Sequence, residues 1–419
     1  MKIRAQDGGF PSARRLKPLI FLMFAIFAMA TDAIGTTLPH ILADYHAGAM
    51  AAGSLHYASL SGIGAAAIGL GFLADRIGRK AAMLCGLFLC FLTSALFVGG
   101  SHSGILLMLL FVSGLGVGLF RSAILALVGA LSRSTRDHAV VMNLVEGSAG
   151  IGAILGPVGV AILLQGGANW KWVYLIAALL CSLLISGTIA TPLPRSTAGP
   201  ADDKAGPRDT MRLFLHPHAL FFAALLMLCV GAEMAIYVWA PIYFTGYQGP
   251  NATLAALIVS LYLLLRTLGR FIGAWLLSRF DWAATVAVCS GMTALLFGLA
   301  LMGGHGVAAL ALPAAGLFLS PLYPTLNSVG ISCFDKGRHG SIAGFLLFFA
   351  CLAMVISPLA MAAASERIGG REHGLTLGSM FALMLAIACL WNALARPVAA
   401  RLAERDGLDY GERRFDTGQ

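Results

Sequence analysis

Twelve apolar stretches leave this chain few ways to fold. Windows long enough to cross a bilayer as a helix, about 20 residues each, fall near 18–40, 53–74, 81–99, 104–131, 139–164, 171–190, 217–243, 252–277, 283–302, 306–333, 340–364 and 374–395. Lipid offers no partner to a bare backbone N–H or C=O, so segments like these cross it as helices. The expected fold is an all-α integral membrane protein with twelve transmembrane helices. A soluble fold is excluded by charge: 58% of the 419 residues are hydrophobic and only 11% are charged, whereas soluble domains carry about 25%.

The placement of the bases sets the expected topology. With the N-terminus in the cytoplasm, 22 of the 28 Lys and Arg residues fall in segments on that side, as the positive-inside rule requires. Only Lys171, Arg367 and Arg371 fall in outer loops, and Arg121, Arg266 and Arg270 lie inside spans. Both ends are therefore expected in the cytoplasm, with the chain in the inner (cell) membrane. The same placement argues against nucleic acid as the partner of a chain with net charge +9, because the bases line short loops and tails. The first apolar run follows Lys2, Arg4, Arg14, Arg15 and Lys17 but runs past 20 residues without a cleavage pattern, so it reads as a retained helix. The eight cysteines lie in or beside apolar runs without CxxC spacing and read as small buried hydrophobes. Fifty glycines suit the close helix approach that drives packing in lipid.

One break is long. From Thr191 to His216 the chain is rich in proline, glycine and charge, the composition of a linker. It separates a six-helix bundle at 1–190 from a second at 217–395, with 191–216 as a cytoplasmic linker and 396–419 as a cytoplasmic tail. Leu268-Gly-Arg-Phe-Ile-Gly-Ala-Trp-Leu-Leu-Ser-Arg-Phe-Asp281 weakly echoes the charged turn after the second helix. Two pseudo-symmetric halves around a central cavity is the architecture this implies.

That charged turn is Gly71-Phe-Leu-Ala-Asp75-Arg76-Ile-Gly78-Arg79-Lys80. One acid and three bases in so short a loop cannot enter hydrocarbon and pin one face of the membrane. The pattern Gly-x-Leu-Ala-Asp-Arg-x-Gly-Arg-Lys resembles, without a gap, the loop after the second helix of the major facilitator superfamily of transporters. The resemblance implies that Gly71, Asp75, Arg76, Gly78, Arg79 and Lys80 form a conformational gating motif. Asp75 would meet the start of a facing helix.

Ionisable groups inside a membrane are costly and mark function or pairing. Asp32, Glu146 and Glu233 face Arg121, Arg266 and Arg270 in number. Arg121 and Glu146 lie at similar distances from the loop joining their helices and are expected to pair. Glu233 and Arg266 are their candidate counterpart in the second half, and Arg270, nearer the cytoplasm, is expected to bond helix ends or the degenerate second motif. Asp32 lies about 22 Å along helix 1 from Lys17, at 1.5 Å per residue, without a base in its own helix. Desolvation there favours the protonated form, so Asp32 is the expected proton-coupling group, with Glu233 next.

Three further stretches carry polar groups. Helix 5 contains Gly150-Ile-Gly152-Ala-Ile-Leu-Gly156-Pro157, which resembles an antiporter signature of the superfamily, although Val160 stands at its final glycine. Close packing explains the same glycines. Helix 7 reads Gly231-Ala-Glu233-Met-Ala-Ile-Tyr237-Val-Trp239-Ala-Pro241-Ile-Tyr243. At helical spacing Glu233 and Tyr237 share a face, and Tyr243 is expected in an interface belt. Helix 10 has Ser320-Pro321-Leu-Tyr323-Pro324-Thr325-Leu-Asn327, where two prolines free backbone groups beside polar side chains. Together these stretches resemble the fucose permease and glucose/galactose transporter family. That resemblance implies a sugar:proton symporter with a cavity that Asn143, Trp239, Tyr323 and Asn327 line, and Tyr237, from the face it shares with Glu233, is expected to join them. It also implies an acid in helix 4, where this chain has Arg121 instead.

The expected function is secondary active transport of a small polar solute, such as a sugar, by alternating access with protons. A proton-coupled exporter of drugs or metabolites is the alternative; against it, Leu110 stands where such exporters carry an arginine before Gly114-x-Gly116-x-Gly118. No catalytic triad, metal-ligand spacing or phosphate loop is seen, so no enzyme, cofactor or metal is expected. A monomer in the lipid bilayer is expected. The histidines are scattered and fall mostly at loop positions in this reading, His102, His138 and His339 among them.

Overall fold

The computed structural model describes residues 13–32, 37, 40, 41, 44, 49–99, 103–192 and 206–410. The spanning helices in chain order are α1 (Ala13–Asp32), α2 (Ala49–Leu70), α3 (Arg79–Phe97), α4 (Ser103–Leu131), α5 (Thr135–Gln165) and α6 (Lys171–Ala190). After the linker come α7 (Pro217–Met234), α8 (Ile258–Arg279), α9 (Trp282–Met302), α10 in two parts (Gly304–Leu319 and Leu322–Ser332), α11 (His339–Ile368) and α12 (Glu372–Ala395). Ten of these, among the described residues, are long and apolar enough to cross a membrane by themselves. Large apolar side chains such as Met108, Ile162, Leu183 and Leu394 stand exposed around the outside of the bundle. A water-soluble protein does not carry such a surface; a bilayer covers it.

Helices α1 to α6 pack among themselves, chiefly α2 on α4, α3 on α4 and α6, and α1 on α5. Helices α7 to α12 do the same, through α9 on α10 and α12, α8 on α10, and α7 on α11 and α12. The two sets meet along two seams: α5 lies on α8 and on the second part of α10, and α11 lies on α2 and α4. A shift of six helices exchanges α2 with α8 and α5 with α11, so the seams obey the pseudo-two-fold expected of such a fold.

Three local features shape these helices. A Cβ on Gly152 would collide with the carbonyl of Ala25, and one on Gly156 would come within 2.6 Å of the carbonyl of Met29. The glycine series of α5 therefore presses backbone to backbone on α1. Second, α10 breaks at Ser320 and Pro321, because proline supplies no N–H and its ring clashes with the preceding turn. Third, α7 continues through a π turn over Ala235–Trp239 before closing as a short helix at Ala240–Tyr243. A π turn inserts an extra residue, so the expected shared face of Glu233 and Tyr237 is lost. Glu233 is buried, while Tyr237 keeps 44% of its surface exposed.

Candidate functional site

Five charged groups inside the spans, among the described residues, gather into one layer that ties the halves together. Arg121 on α4 places Nη2 2.7 Å from Glu146 Oε1 on α5. From the other half, Arg270 on α8 donates from Nη1 to the Glu146 carbonyl at 2.7 Å and brings Nη2 to 3.5 Å from Glu146 Oε2. Arg266, one turn earlier on α8, sits 2.9 Å from Glu233 Oε1 on α7. By residue count from the ends of α4 and α5, Arg121 and Glu146 lie roughly 15 Å from the loop that joins them, at 1.5 Å per residue, near the middle of the bilayer. Burial differs sharply: the side chains of Arg270 and Glu146 are 3% and 4% exposed, whereas Arg121 and Arg266 keep 26% and 24%. The expectation that Arg270 bonds helix ends near the cytoplasm is corrected: its guanidinium crosses the α5–α8 seam to Glu146. Chain position alone hides this, because the partner lies on the other half.

The Arg121 guanidinium also lies over the Phe24 ring of α1, 5.8 Å from its centroid, a cation–π contact that ties α1 into the layer. Asp32 is the last residue of α1; its side chain lies outside the described residues.

Asn143, one turn before Glu146 on α5, donates from Nδ2 to the Ala139 carbonyl at 2.9 Å and to Thr325 Oγ1 of α10 at 3.0 Å. It is thus a second bridge across the seam. Asn327 is fully buried, and neither of its side-chain polar atoms meets a partner among the described residues. Tyr323 is also buried. Trp239 is buried and donates from Nε1 to the Arg371 carbonyl at 2.9 Å, which anchors it toward the face opposite the Gly71–Lys80 loop. Tyr243 does not form the expected interface belt. It is buried, with its ring stacked 4.2 Å from that of His305, beside a cleft of about 310 Å³ that Tyr247, Arg371 and Glu372 also line.

The face that carries the Gly71–Lys80 loop is closed. Asp75 accepts from the backbone N–H of Gly340 at 2.8 Å and of Ser341 at 2.7 Å, and from the Ser341 hydroxyl at 2.8 Å. These are the first residues of α11, so the carboxyl caps a helix N-terminus where anions are favoured. Burial pushes the Asp75 carboxyl up to about 6, against the Gly340 and Ser341 donors and nearby Arg79, which pull it down. Arg79 donates to the Lys336 carbonyl at 2.8 Å, and Lys80 to the carbonyls of Ile189 and Thr191, each at 2.9 Å. Gly78 holds φ at 96°, a conformation that glycine adopts without a Cβ penalty, and it turns the chain into α3. Arg76 is exposed.

Two elements of this closure escaped the sequence reading. His138 and His339 are not loop residues; both are buried near helix starts, with rings 6.2 Å apart and 13° from parallel. His138 Nδ1 lies 2.9 Å from Ser332 Oγ, across the halves. The C-terminal helix Ala399–Tyr410 is the other. Its Asp406 accepts from the N–H and hydroxyl of Thr135 at 3.1 and 2.8 Å, while Arg405 pairs with Asp335 of the second half. It therefore straps the two halves. The signal for it was a charged amphipathic stretch after Pro397.

Among the described residues no group of three or more His, Cys, Asp and Glu side chains is placed to hold a metal ion. Residues 20–358 match the sequence model of the Major Facilitator Superfamily. The chain belongs to that superfamily. Its curated relatives within it include a gentisate transporter of Corynebacterium glutamicum, 22% identical over 93% of this chain and 89% of the relative. An L-fucose-proton symporter of Escherichia coli is 26% identical over 77% of this chain and 81% of the relative. Among solved structures, the superfamily transporter FucP in the outward conformation superposes with a TM-score of 0.80. It is 21% identical and is matched over 91% of this chain and 99% of FucP. The twelve-helix fold in two six-helix halves is the superfamily fold.

Proposed function

We propose that this superfamily member is a secondary active transporter that moves a small polar solute of the sugar class together with protons by alternating access. The observation that carries the reading is the mid-membrane layer of Arg121, Glu146, Arg270, Arg266 and Glu233, which joins both halves at half depth. Charges buried there are expensive and are retained where they serve an ion or substrate path. The names of relatives support the substrate class: an L-fucose-proton symporter and a putative glucose/galactose transporter of Helicobacter pylori. The closed Gly71–Lys80 face, read with the positive-inside rule, is the cytoplasmic one, and the conformation is outward-facing. Both termini then lie in the cytoplasm of a cell whose inner membrane holds the chain as a monomer.

In this reading residues 1–190 and 217–395 rock against each other about the α5–α8 and α2–α11 seams, joined by the linker at 191–216, and 396–419 is a cytoplasmic tail. Asp32 carries the coupled proton, with Glu233 as the second acid. Asn143, Tyr237, Trp239, Tyr323 and Asn327 contribute to the solute cavity. Asp75, with Gly71, Arg76, Gly78, Arg79 and Lys80, gates the cytoplasmic face. The test is uptake into proteoliposomes under an imposed pH gradient, with sugars as solutes. Uptake that ignores the gradient would remove proton coupling from the assignment.

A further inference from the structure

The pseudo-two-fold of the fold relates α5 to α11, and the Gly71–Lys80 loop to the turn between α8 and α9. At the α2–α11 seam, Asp75 of the first half sends one carboxylate oxygen to both the N–H and the hydroxyl of Ser341, near the start of α11, at 2.7 and 2.8 Å. Symmetry calls for the same hold on the start of α5 from the second half. The turn that faces α5 lacks the acid. With Gly273 set on Gly71, the place of Asp75 falls to Leu277. Leu277 is buried, and its carbonyl accepts from Nε of Arg136 on α5 at 2.8 Å. The end of α8 therefore lies against the start of α5, with an alkyl side chain where the other seam has a carboxylate.

The carboxylate comes from the tail. Asp406, in the C-terminal helix Ala399–Tyr410, turns Oδ1 to both the N–H and the hydroxyl of Thr135, the first residue of α5, at 3.1 and 2.8 Å. This is the pattern of Asp75 on Ser341: one carboxylate oxygen takes both donors of a hydroxyl residue at a helix start, and the acid belongs to the opposite half. The N–H groups of a first helical turn have no partner in their own helix, and negative charge is favoured there. The helix that carries Asp406 is fixed to the second half. Arg401 donates from Nε to the Cys333 carbonyl at 3.2 Å, Arg405 pairs with Asp335, and Val398 and Leu402 are buried. Rocking the halves apart at this face separates Asp406 from Thr135 just as it separates Asp75 from α11.

We propose, resting on the alternating-access reading above, that Asp406 is a second gating acid, a positioning residue that closes the α5–α8 seam where the α8–α9 turn has no acid to do so. The cytoplasmic face then has two locks, Asp75 on α11 and Asp406 on α5, and loss of either shifts the carrier toward its inward-facing form.

The test uses the full-length protein in proteoliposomes, with spin labels at Arg133→Cys in one half and Arg279→Cys in the other. Both residues are exposed, and the exposed Cys85 is replaced by serine. Asp406→Ala should lower the ratio of short to long distances at least about tenfold, the size of one charge-assisted hydrogen bond lost from the closed form alone. Thr135→Val should shift the ratio the same way by less, and should add little on top of Asp406→Ala. Glu404→Gln removes an acid of the same helix whose salt bridge stays within it, to Arg401, and should keep the wild-type distances. Wild-type distances in Asp406→Ala, with or without a lower Tm, or additive effects of the two changes, would overturn the gating role; alternating access still stands if Asp75→Ala lengthens the distance. Distances that stay short in every variant, Asp75→Ala included, would overturn both.

Discussion

Glu146→Gln is expected to be the most costly single change in the charged layer, and the geometry says by how much. Glu146 serves two arginines, at 2.7 Å to Arg121 and 3.5 Å to Arg270. Replacing its charge leaves Arg270, 3% exposed, with neutral carbonyl oxygens of residue 146 in place of a carboxylate. A buried charge stripped of its counter-ion costs about 3–5 kcal/mol. Arg121→Gln is milder, because Glu146 keeps Arg270 and no buried charge is stranded; the charge-assisted hydrogen bond to Glu146 that it gives up is worth about 1.5–3 kcal/mol. The two variants should thus differ by about 2 kcal/mol, from the middles of those ranges. The double variant Glu146→Gln with Arg270→Gln removes the stranded charge and should be less unstable than the sum of its singles by about 1–3 kcal/mol. A thiol-reactive dye suits the measurement, since seven of the eight cysteines are buried and only Cys85 is exposed. For units the size of one six-helix half, 1 kcal/mol moves Tm by about 2–4 °C, so the order of the variants is resolvable. Arg121→Gln melting as early as Glu146→Gln, or strict additivity in the double variant, would refute the assignment of Glu146 as the shared anchor.

Three more outcomes are expected. Burial raises Asp75 from 3.8 to about 6 in the closed conformation, so that conformation holds a proton which an opened, hydrated loop releases; closure should be fully favoured below about pH 4 and weaken as pH rises through about 6, seen as a lengthening distance between spin labels at Ile77→Cys and Gly337→Cys. Asp75→Asn should flatten that profile, and a pH-dependent distance in the variant would assign the titration to another group. Gly152→Val drives a side chain into the Ala25 carbonyl and should destabilise the α1–α5 contact by about 1–3 kcal/mol, whereas Gly159→Ala, which meets nothing within 4 Å, should melt like wild type. Asp32→Asn mimics the protonated acid and should abolish accumulation against a gradient while sparing counterflow; continued proton-driven accumulation would move coupling to Glu233.

What was legible in the sequence was whatever local chemistry dictates. Spans are decided by the cost of unpaired backbone in lipid, which depends on each window alone, so α6 falls at Lys171–Ala190, the range its apolar window covers. The charged loop was legible for the same reason, since one acid and three bases cannot sit in hydrocarbon. The α4–α5 ion pair was within reach because its two helices are consecutive and the short loop between them equalises depth. What tertiary structure decided was everything that crosses the seams. Arg270 lies 124 positions from Glu146 and Asp75 265 from Gly340; nothing along the chain says which helix faces which. His138 and His339 looked like loop residues because polarity near a span end reads as exposure, yet closure of the two halves buries them together. The π turn of α7 was hidden as well: an inserted residue in a helix leaves no mark in apolar periodicity, and it is stabilised only where neighbouring helices, here α11 and α12, accept the altered face.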